Sequence, residues 1–259
     1  MKKKLLFAAL LSLFTLPFFA QESIPQQDAA SVTKDANNPL ASIKSFSMHE
    51  VYTPSIYGLE GTMNTFWLRY AQPIGRVLIR ASLPVNSVDI GELNRSGLGD
   101  LNVFGTYILT PSTSANQVGV GPILTVPTAT SSALGAGKWQ IGAAFAGYFA
   151  SSPVFQCGIL ATWQHSFAGD SDRNKVQIAT IQPFLMWQLG KGVYLRSSGI
   201  SMLDLENGNY VVPLGLGAGK VIKAGKFVFN LFAEPQFSVW YKGDNMPKVQ
   251  CFFGINTQF

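Results

Sequence analysis

Charge is what this chain has least of. Charged residues make up 13% of its 259 positions, about half the share usual in soluble domains. A hydrated shell around a single apolar core is therefore a poor fit. The other common solution is missing too: after residue 20 there is no run of 18 or more apolar residues that could cross a bilayer as a helix. Histidine is limited to His49 and His165 and cysteine to Cys157 and Cys251. Neither histidine has a second His or Cys at metal-ligand spacing, which removes the usual zinc patterns. The basic balance also shrinks on inspection. The net charge of +5 falls to +2 once Lys2, Lys3 and Lys4 are set aside, so nothing in it points to nucleic acid.

Those three lysines open "MKKKLLFAALLSLFTLPFFAQ". A positive start, an apolar stretch from Leu5 to Leu16, the helix breaker Pro17 and the small Ala20 predict a secretory signal peptide over 1–20. Residues 21–43 are polar and lack periodicity, which predicts a flexible N-terminal lead with a short ordered turn at "NNPLA". Residues 44–259 change character. Segments of about 11–15 residues alternate apolar with polar or small side chains, separated by Gly, Pro, Asn, Asp and Ser. In "RVLIRASLPV" Val77, Ile79, Ala81, Leu83 and Val85 share one face, with Arg80 and Ser82 on the other. In "KFVFNLFAEPQFSV" Phe227, Phe229, Leu231 and Ala233 oppose Asn230, Glu234 and Gln236. A period of two means strands with two unlike faces.

Length separates the all-β classes. Soluble sandwiches favour strands of about five or six residues, whereas a tilted membrane strand needs about 9–11. The pattern predicts an all-β transmembrane antiparallel β-barrel of twelve strands, near 45–57, 61–73, 76–88, 98–110, 116–128, 138–150, 154–168, 175–189, 192–204, 209–222, 226–241 and 248–259, with ten as the alternative count. Short links (73–75, 111–115, 151–153, 190–192, 223–225) alternate with longer, more charged ones (89–97, 127–137, 168–175, 204–209, 242–247). Outer-membrane barrels show that alternation, with short periplasmic turns and longer external loops. The segments of Cys157 and Cys251 are not neighbours in this scheme. Bridging needs Cα atoms within about 7 Å, so two unpaired, buried or lipid-facing thiols are expected.

The chain ends in "VQCFFGINTQF", whose alternation closes on an aromatic Phe259. A final amphipathic strand with a terminal Phe is similar to the sorting signal of outer-membrane barrels. It implies the outer-membrane bilayer and the barrel-assembly machinery as partners. "LGAGK" occurs at 134–138 and again at 216–220. A phosphate-binding loop needs Gly six residues before the Lys and Ser or Thr after it. Ser132 and Trp139 stand there in the first copy, Leu214 and Val221 in the second. Neither copy is a nucleotide loop. The first is expected to close a long loop, and the second to continue an inward row of Gly215, Gly217 and Gly219 that leaves room for lumen side chains.

Strand alternation places Arg69, Arg80, Arg196 and Glu234 toward the lumen, with Gln156, Gln164, Gln177 and Gln236. Phe104, Tyr148, Leu160, Trp187 and Phe232 are read as inward apolar groups. Buried polar groups must be satisfied by one another or by water, so either a mutually bonded interior or a selective pore lining follows. The Trp and Tyr residues near segment ends suit the aromatic girdles at membrane interfaces. No enzyme, metal or cofactor is expected. His165 and Ser166 are adjacent in a strand and point to opposite faces, and His49 reads as a surface residue of the first strand.

"GVGPILTVPTATSSALGAGKWQIG" (119–142) resembles the signature of an outer-membrane β-barrel family labelled for the MetA pathway of phenol degradation, whose members also carry transporter or neuromedin-U-like labels. "SGLGDLNVFGTYILTP" (96–111), "WQHSFAGDSDRNKVQIATIQPFL" (163–185), "YVVPLGLGAGKV" (210–221) and "NNPLASI" (37–43) fit the same family. The resemblance covers most of residues 21–259 and implies the barrel fold without enzyme chemistry. Together with the part-apolar lumen it implies an outer-membrane channel for small hydrophobic or aromatic compounds. A barrel filled by side chains, structural or surface-binding, is the alternative.

Overall fold

A single closed antiparallel sheet of twelve strands accounts for almost every period-two segment of the sequence. The structure, a computed structural model, describes Val32, residues 35–111 and residues 113–259. The expected signal peptide and residues 21–31, 33 and 34 of the lead lie outside the described residues. The strands are β1 (Ser45–Ile56), β2 (Gly61–Ile74), β3 (Val77–Ile90), β4 (Leu93–Leu98 and Leu101–Ile108), β5 (Asn116–Val126) and β6 (Lys138–Phe149). They continue as β7 (Phe155–Gly169), β8 (Gln177–Gly190), β9 (Val193–Ser197 and Ser201–Asp204), β10 (Asn209–Gly215 and Gly217–Ala224), β11 (Phe227–Lys242) and β12 (Pro247–Gln258). Each pairs with its sequence neighbours, and β1 pairs with β12 from Ser45↔Gln258 to Ile56↔Pro247, which closes the barrel. Closure removes the unpaired edges that a membrane could not hydrogen-bond.

The two faces are chemically distinct. On β11, Asn230, Phe232, Glu234, Gln236 and Ser238 are buried in the lumen, while Phe227, Phe237 and Val239 are exposed outside. Outward apolar residues form a belt around the barrel, flanked by exposed Trp139, Trp163, Tyr210, Trp240 and Tyr241 at the end with long loops. Tyr70, Tyr107 and Trp187 are exposed toward the end with short turns. Two girdles around an apolar band are the signature of a barrel in lipid.

Three interruptions shape the interior. β9 breaks at 198–200, where the Ser198 N–H donates to Glu234 Oε1 (2.7 Å) instead of to a neighbouring strand. β10 breaks at Leu216, and its pairing with β11 slips between Val212 and Pro213, as expected where a proline supplies no ladder donor. β4 breaks at Gly99–Asp100. Its first half corrects the sequence reading, which made 89–97 a loop. Ile90↔Leu93 through Val85↔Leu98 pair as a hairpin around Gly91 at φ 57°. That hairpin stands mostly beyond the apolar belt and is exposed on both faces, so its polar residues conceal the strand.

The N-terminal lead ends inside the barrel. Ala36, Asn37, Asn38, Leu40 and Ala41 are buried after a helical turn at 35–37. Ala36 packs with Phe184, Met186, Tyr194 and Val221. This differs from the expected flexible lead; the ordered turn at "NNPLA" extends into a segment folded into the lumen at the short-turn end.

Candidate functional site

The lumen is crossed near its middle by a buried charge network. Glu234 of β11 is fully buried and paired with Arg196 of β9, Nε to Oε2 at 2.8 Å. The same carboxylate accepts from Ser198 Oγ (2.7 Å), Ser198 N (2.7 Å) and Gln236 Nε2 (3.0 Å). Arg196 Nη2 donates to Ser198 Oγ (2.6 Å), and its guanidinium lies 3.6 Å from the centre of the Phe232 ring. Four donors on one carboxylate repay the desolvation of a buried ion pair as far as geometry can. β10 makes room for it: a Cβ on Gly215 would stand 2.6 Å from Glu234 Oε1 and from Gln236 Cγ.

Below this network, toward the short turns, segment 35–41 lies in the lumen and is hydrogen-bonded to the wall. Asn230 Nδ2 donates to Ala36 O (3.0 Å) and Asn37 Oδ1 (2.9 Å), Asn38 Nδ2 to Gln117 Oε1 (2.8 Å), and Gln258 Nε2 to Asp35 O (3.0 Å). Tyr194, with no solvent exposure, donates its hydroxyl to Asn230 Oδ1 at 2.5 Å. Gly219 lies over that ring, and a side chain there would overlap the phenol. The inward glycine row of the second "LGAGK" thus makes space for Tyr194, Glu234 and Gln236. The first copy closes the loop 127–137. There Gly137 has φ 67°, Asp100 accepts from the Ala129 and Ala136 amides, and Arg173 donates to the Ser132 and Gly135 carbonyls.

Between this segment and the network lies a cavity of about 150 Å³. Its lining includes Arg69, Arg80 and Arg196, His49, Phe184, Phe232 and Phe252. Arg69 Nη1 donates to His49 Nδ1 (2.8 Å), and His49 Nε2 meets Asn256 Oδ1 at 2.7 Å. An arginine can only donate, so Nδ1 is the acceptor and Nε2 carries the proton. His49 also packs edge-on against Phe232 (5.5 Å) and Phe252 (5.4 Å). The expectation of a surface histidine is corrected: on β1 the odd positions face inward, and His49 is one of them.

Of the residues expected to line the lumen, Arg69, Arg80 and Arg196 meet at this cavity. Glu234 and Gln236 stand in the adjoining network. Gln156 and Gln164 belong to separate clusters. Gln156 Oε1 accepts from Tyr148 Oη (2.7 Å) and Gln188 Nε2 (3.1 Å); Gln164 Oε1 accepts from Thr125 Oγ1 (2.7 Å). Gln177 is corrected. Gln182, Phe184 and Met186 of β8 line the cavity, so the odd positions of this strand point outward, Gln177 and Trp187 among them. Trp187 is 55% exposed. The strand carries glutamines on both faces, and only its pairing with β7, Gln156↔Met186 through Gln164↔Ile178, fixes the phase. His49, Tyr194 and Asn230 were passed over as site residues, although Asn230 shares the parity of Glu234.

His165 and Ser166 do not cooperate. His165 stacks near Trp163 on the outer face (5.1 Å), and Ser166 Oγ accepts the Val176 amide (3.0 Å).

No protein-family model matches the chain, and no curated protein matches it in sequence. Among solved structures it is similar to the crystal structure of an outer membrane channel from Pseudomonas putida F1, with a TM-score of 0.63 at 15% identity over 86% of this chain and 97% of that one. It is also similar to the NanC porin, with a TM-score of 0.53 at 9% identity over 83% and 98% of the two chains. Likeness at these identities is a likeness of fold.

Proposed function

We propose that this barrel is an outer-membrane channel for small hydrophobic or aromatic compounds, held closed by its own N-terminal segment. The signal peptide over 1–20 would deliver the chain. Its terminal strand ending at Phe259 would engage the barrel-assembly machinery, and the short turns would face the periplasm. The observation that carries the reading is the composition of the closure. At the short-turn end residues 35–41 lie buried within the lumen, held by the four hydrogen bonds from Asn38, Asn230 and Gln258 described above. Each such bond contributes about 0.5–1.5 kcal/mol net, so displacing the segment costs far less than deforming the sheet. Behind it lies a cavity with walls from Phe184, Phe232 and Phe252, suited to a partly apolar solute.

Planar-bilayer recordings and liposome uptake of phenol and toluene test the proposal. Conductance that is small in the intact protein and larger after deletion of 36–41, with uptake of a phenolic, is expected. Silence in both proteins, with no uptake of any phenolic, would sink it. A second reading draws on the fully buried Tyr194 and Glu234, which could make the interior a permanent filling. In that case the deletion leaves the barrel shut.

A further inference from the structure

Resting on the reading of the lumen as a path for small solutes, the geometry points to a binding site for a small aromatic carboxylate in the cavity between segment 35–41 and the Arg196–Glu234 pair. The lining of that cavity contains three arginines and, among the described residues, no aspartate or glutamate. Arg196 is neutralised by Glu234 at 2.8 Å. Arg69 and Arg80 are not: neither has a carboxylate of the described residues within 4.0 Å.

Arg69 and Arg80 occupy diagonal positions of β2 and β3, with Arg69↔Ser82 and Ala71↔Arg80 as direct pairs. Two like charges on one face repel across such a diagonal. Their Nε atoms are both buried with no hydrogen-bond partner. Arg69 spends one Nη on His49, and the Arg80 guanidinium rests 4.1 Å from the centre of the Phe104 ring. A buried guanidinium that faces a cavity without an acceptor is costly. An anion in the cavity would remove both penalties at once.

The lining of the cavity names the class. A planar guanidinium matches a carboxylate through paired N–H donors. The same lining holds Phe232 and Phe252, packed edge-to-face at 4.9 Å, together with Phe184 and Met186. A cavity of this size is sufficient for a benzene ring. One negative group and one ring match the arginines and the aromatic side chains of the lining; a hydrated inorganic ion would leave the aromatic side chains unused.

Saturation-transfer NMR on the full-length protein, folded in detergent micelles, tests this with benzoate and its neutral analogue benzamide. Charge-assisted hydrogen bonds predict that benzoate binds about 10- to 100-fold tighter than benzamide. The same loss is expected for benzoate on Arg69→Gln/Arg80→Gln, and none on Lys226→Gln at an exposed turn. Arg80→Lys, which keeps the charge and loses the paired donors, should bind benzoate more weakly than the unmodified protein and more tightly than Arg80→Gln. Equal binding of benzoate and benzamide overturns the proposal on the unmodified protein alone, whether or not the double variant folds. So does unchanged binding to a double variant that shows heat-modifiable gel migration. Phosphate or chloride displacing benzoate at equal concentration would mark a general anion site and overturn the carboxylate assignment. Binding in micelles needs no conduction. Benzoate bound by a barrel that neither conducts nor transports ends the channel reading and leaves this site standing; phenol uptake without benzoate binding does the reverse.

Discussion

Replacing Glu234 with glutamine removes one charge and almost no volume, so its cost isolates the buried network. The carboxylate accepts four hydrogen bonds, from Arg196 Nε, Ser198 Oγ, Ser198 N and Gln236 Nε2, at 2.7–3.0 Å. An amide has one oxygen, so whichever way it turns, two of these donors face an NH2 group. Hydrogen bonds to charged groups are worth about 1.5–3 kcal/mol each, which puts the loss at about 3–6 kcal/mol. Removal of one partner of a buried ion pair is expected to cost about 3–5 kcal/mol, and the two routes agree. The total stability of a domain is about 5–15 kcal/mol, so Glu234→Gln should shift the urea midpoint of unfolding from lipid vesicles strongly, followed by tryptophan fluorescence. The double variant Arg196→Met/Glu234→Gln removes both charges and should recover about 1–3 kcal/mol relative to the sum of the single changes. A loss below about 1 kcal/mol for Glu234→Gln, or strict additivity in the double variant, would refute the claim that this pair organises the lumen.

Gly219→Ala should destabilise by about 1–3 kcal/mol through overpacking against Tyr194. Gly105→Ala, where a Cβ meets nothing within 4 Å, should stay within about 0.5 kcal/mol; thermal loss of heat-modifiable migration ranks the two. Asn230→Ala deletes both of its bonds to segment 35–41. At about 0.5–1.5 kcal/mol per bond, it should raise the open fraction in single-channel records at least about five-fold. Cys157 and Cys251 are free and on the outer face of β7 and β12. A membrane-partitioning maleimide should label both in vesicles, a charged thiol reagent should label neither, and reductant should leave gel migration unchanged.

The barrel wall was legible because it obeys one rule. An inner face that must satisfy polar groups and an outer face that must satisfy lipid impose a period of two on each strand, and strand lengths of 11–16 residues, such as Asn116–Val126 and Phe227–Lys242, reveal the membrane. The rule fails where its premise fails. Beyond the apolar belt, Leu93–Leu98 is wet on both sides and looks like a loop. On β8, glutamines at positions 177, 182 and 188 occupy both faces, so Gln177 could be assigned only by pairing with β7. Segment 35–41 was hidden for another reason. Its burial depends on Asn230, Gln117 and Gln258, contributed from 79 to 223 residues away in sequence, and a polar stretch without periodicity carries no sign of such distant partners.

The scarcity of charge has a consequence for the interior. A chain that keeps charged residues to 13% nevertheless places three arginines against one cavity, where each costs more than it would in water. If the role were only to fill the lumen, apolar side chains of similar volume would do so without that cost. One of the three has a dedicated carboxylate, held by donors from three residues. The other two have an imidazole and a phenyl ring, neither of which balances a charge. The asymmetry is what the proposed channel would require of a transit site. A permanently paired arginine fixes the wall, whereas an unpaired one can exchange its counter-ion with each solute that passes. The separation of Glu234 from Arg69 and Arg80 is therefore the feature on which the proposed binding site rests, and loss of benzoate binding on Arg69→Gln/Arg80→Gln is its test.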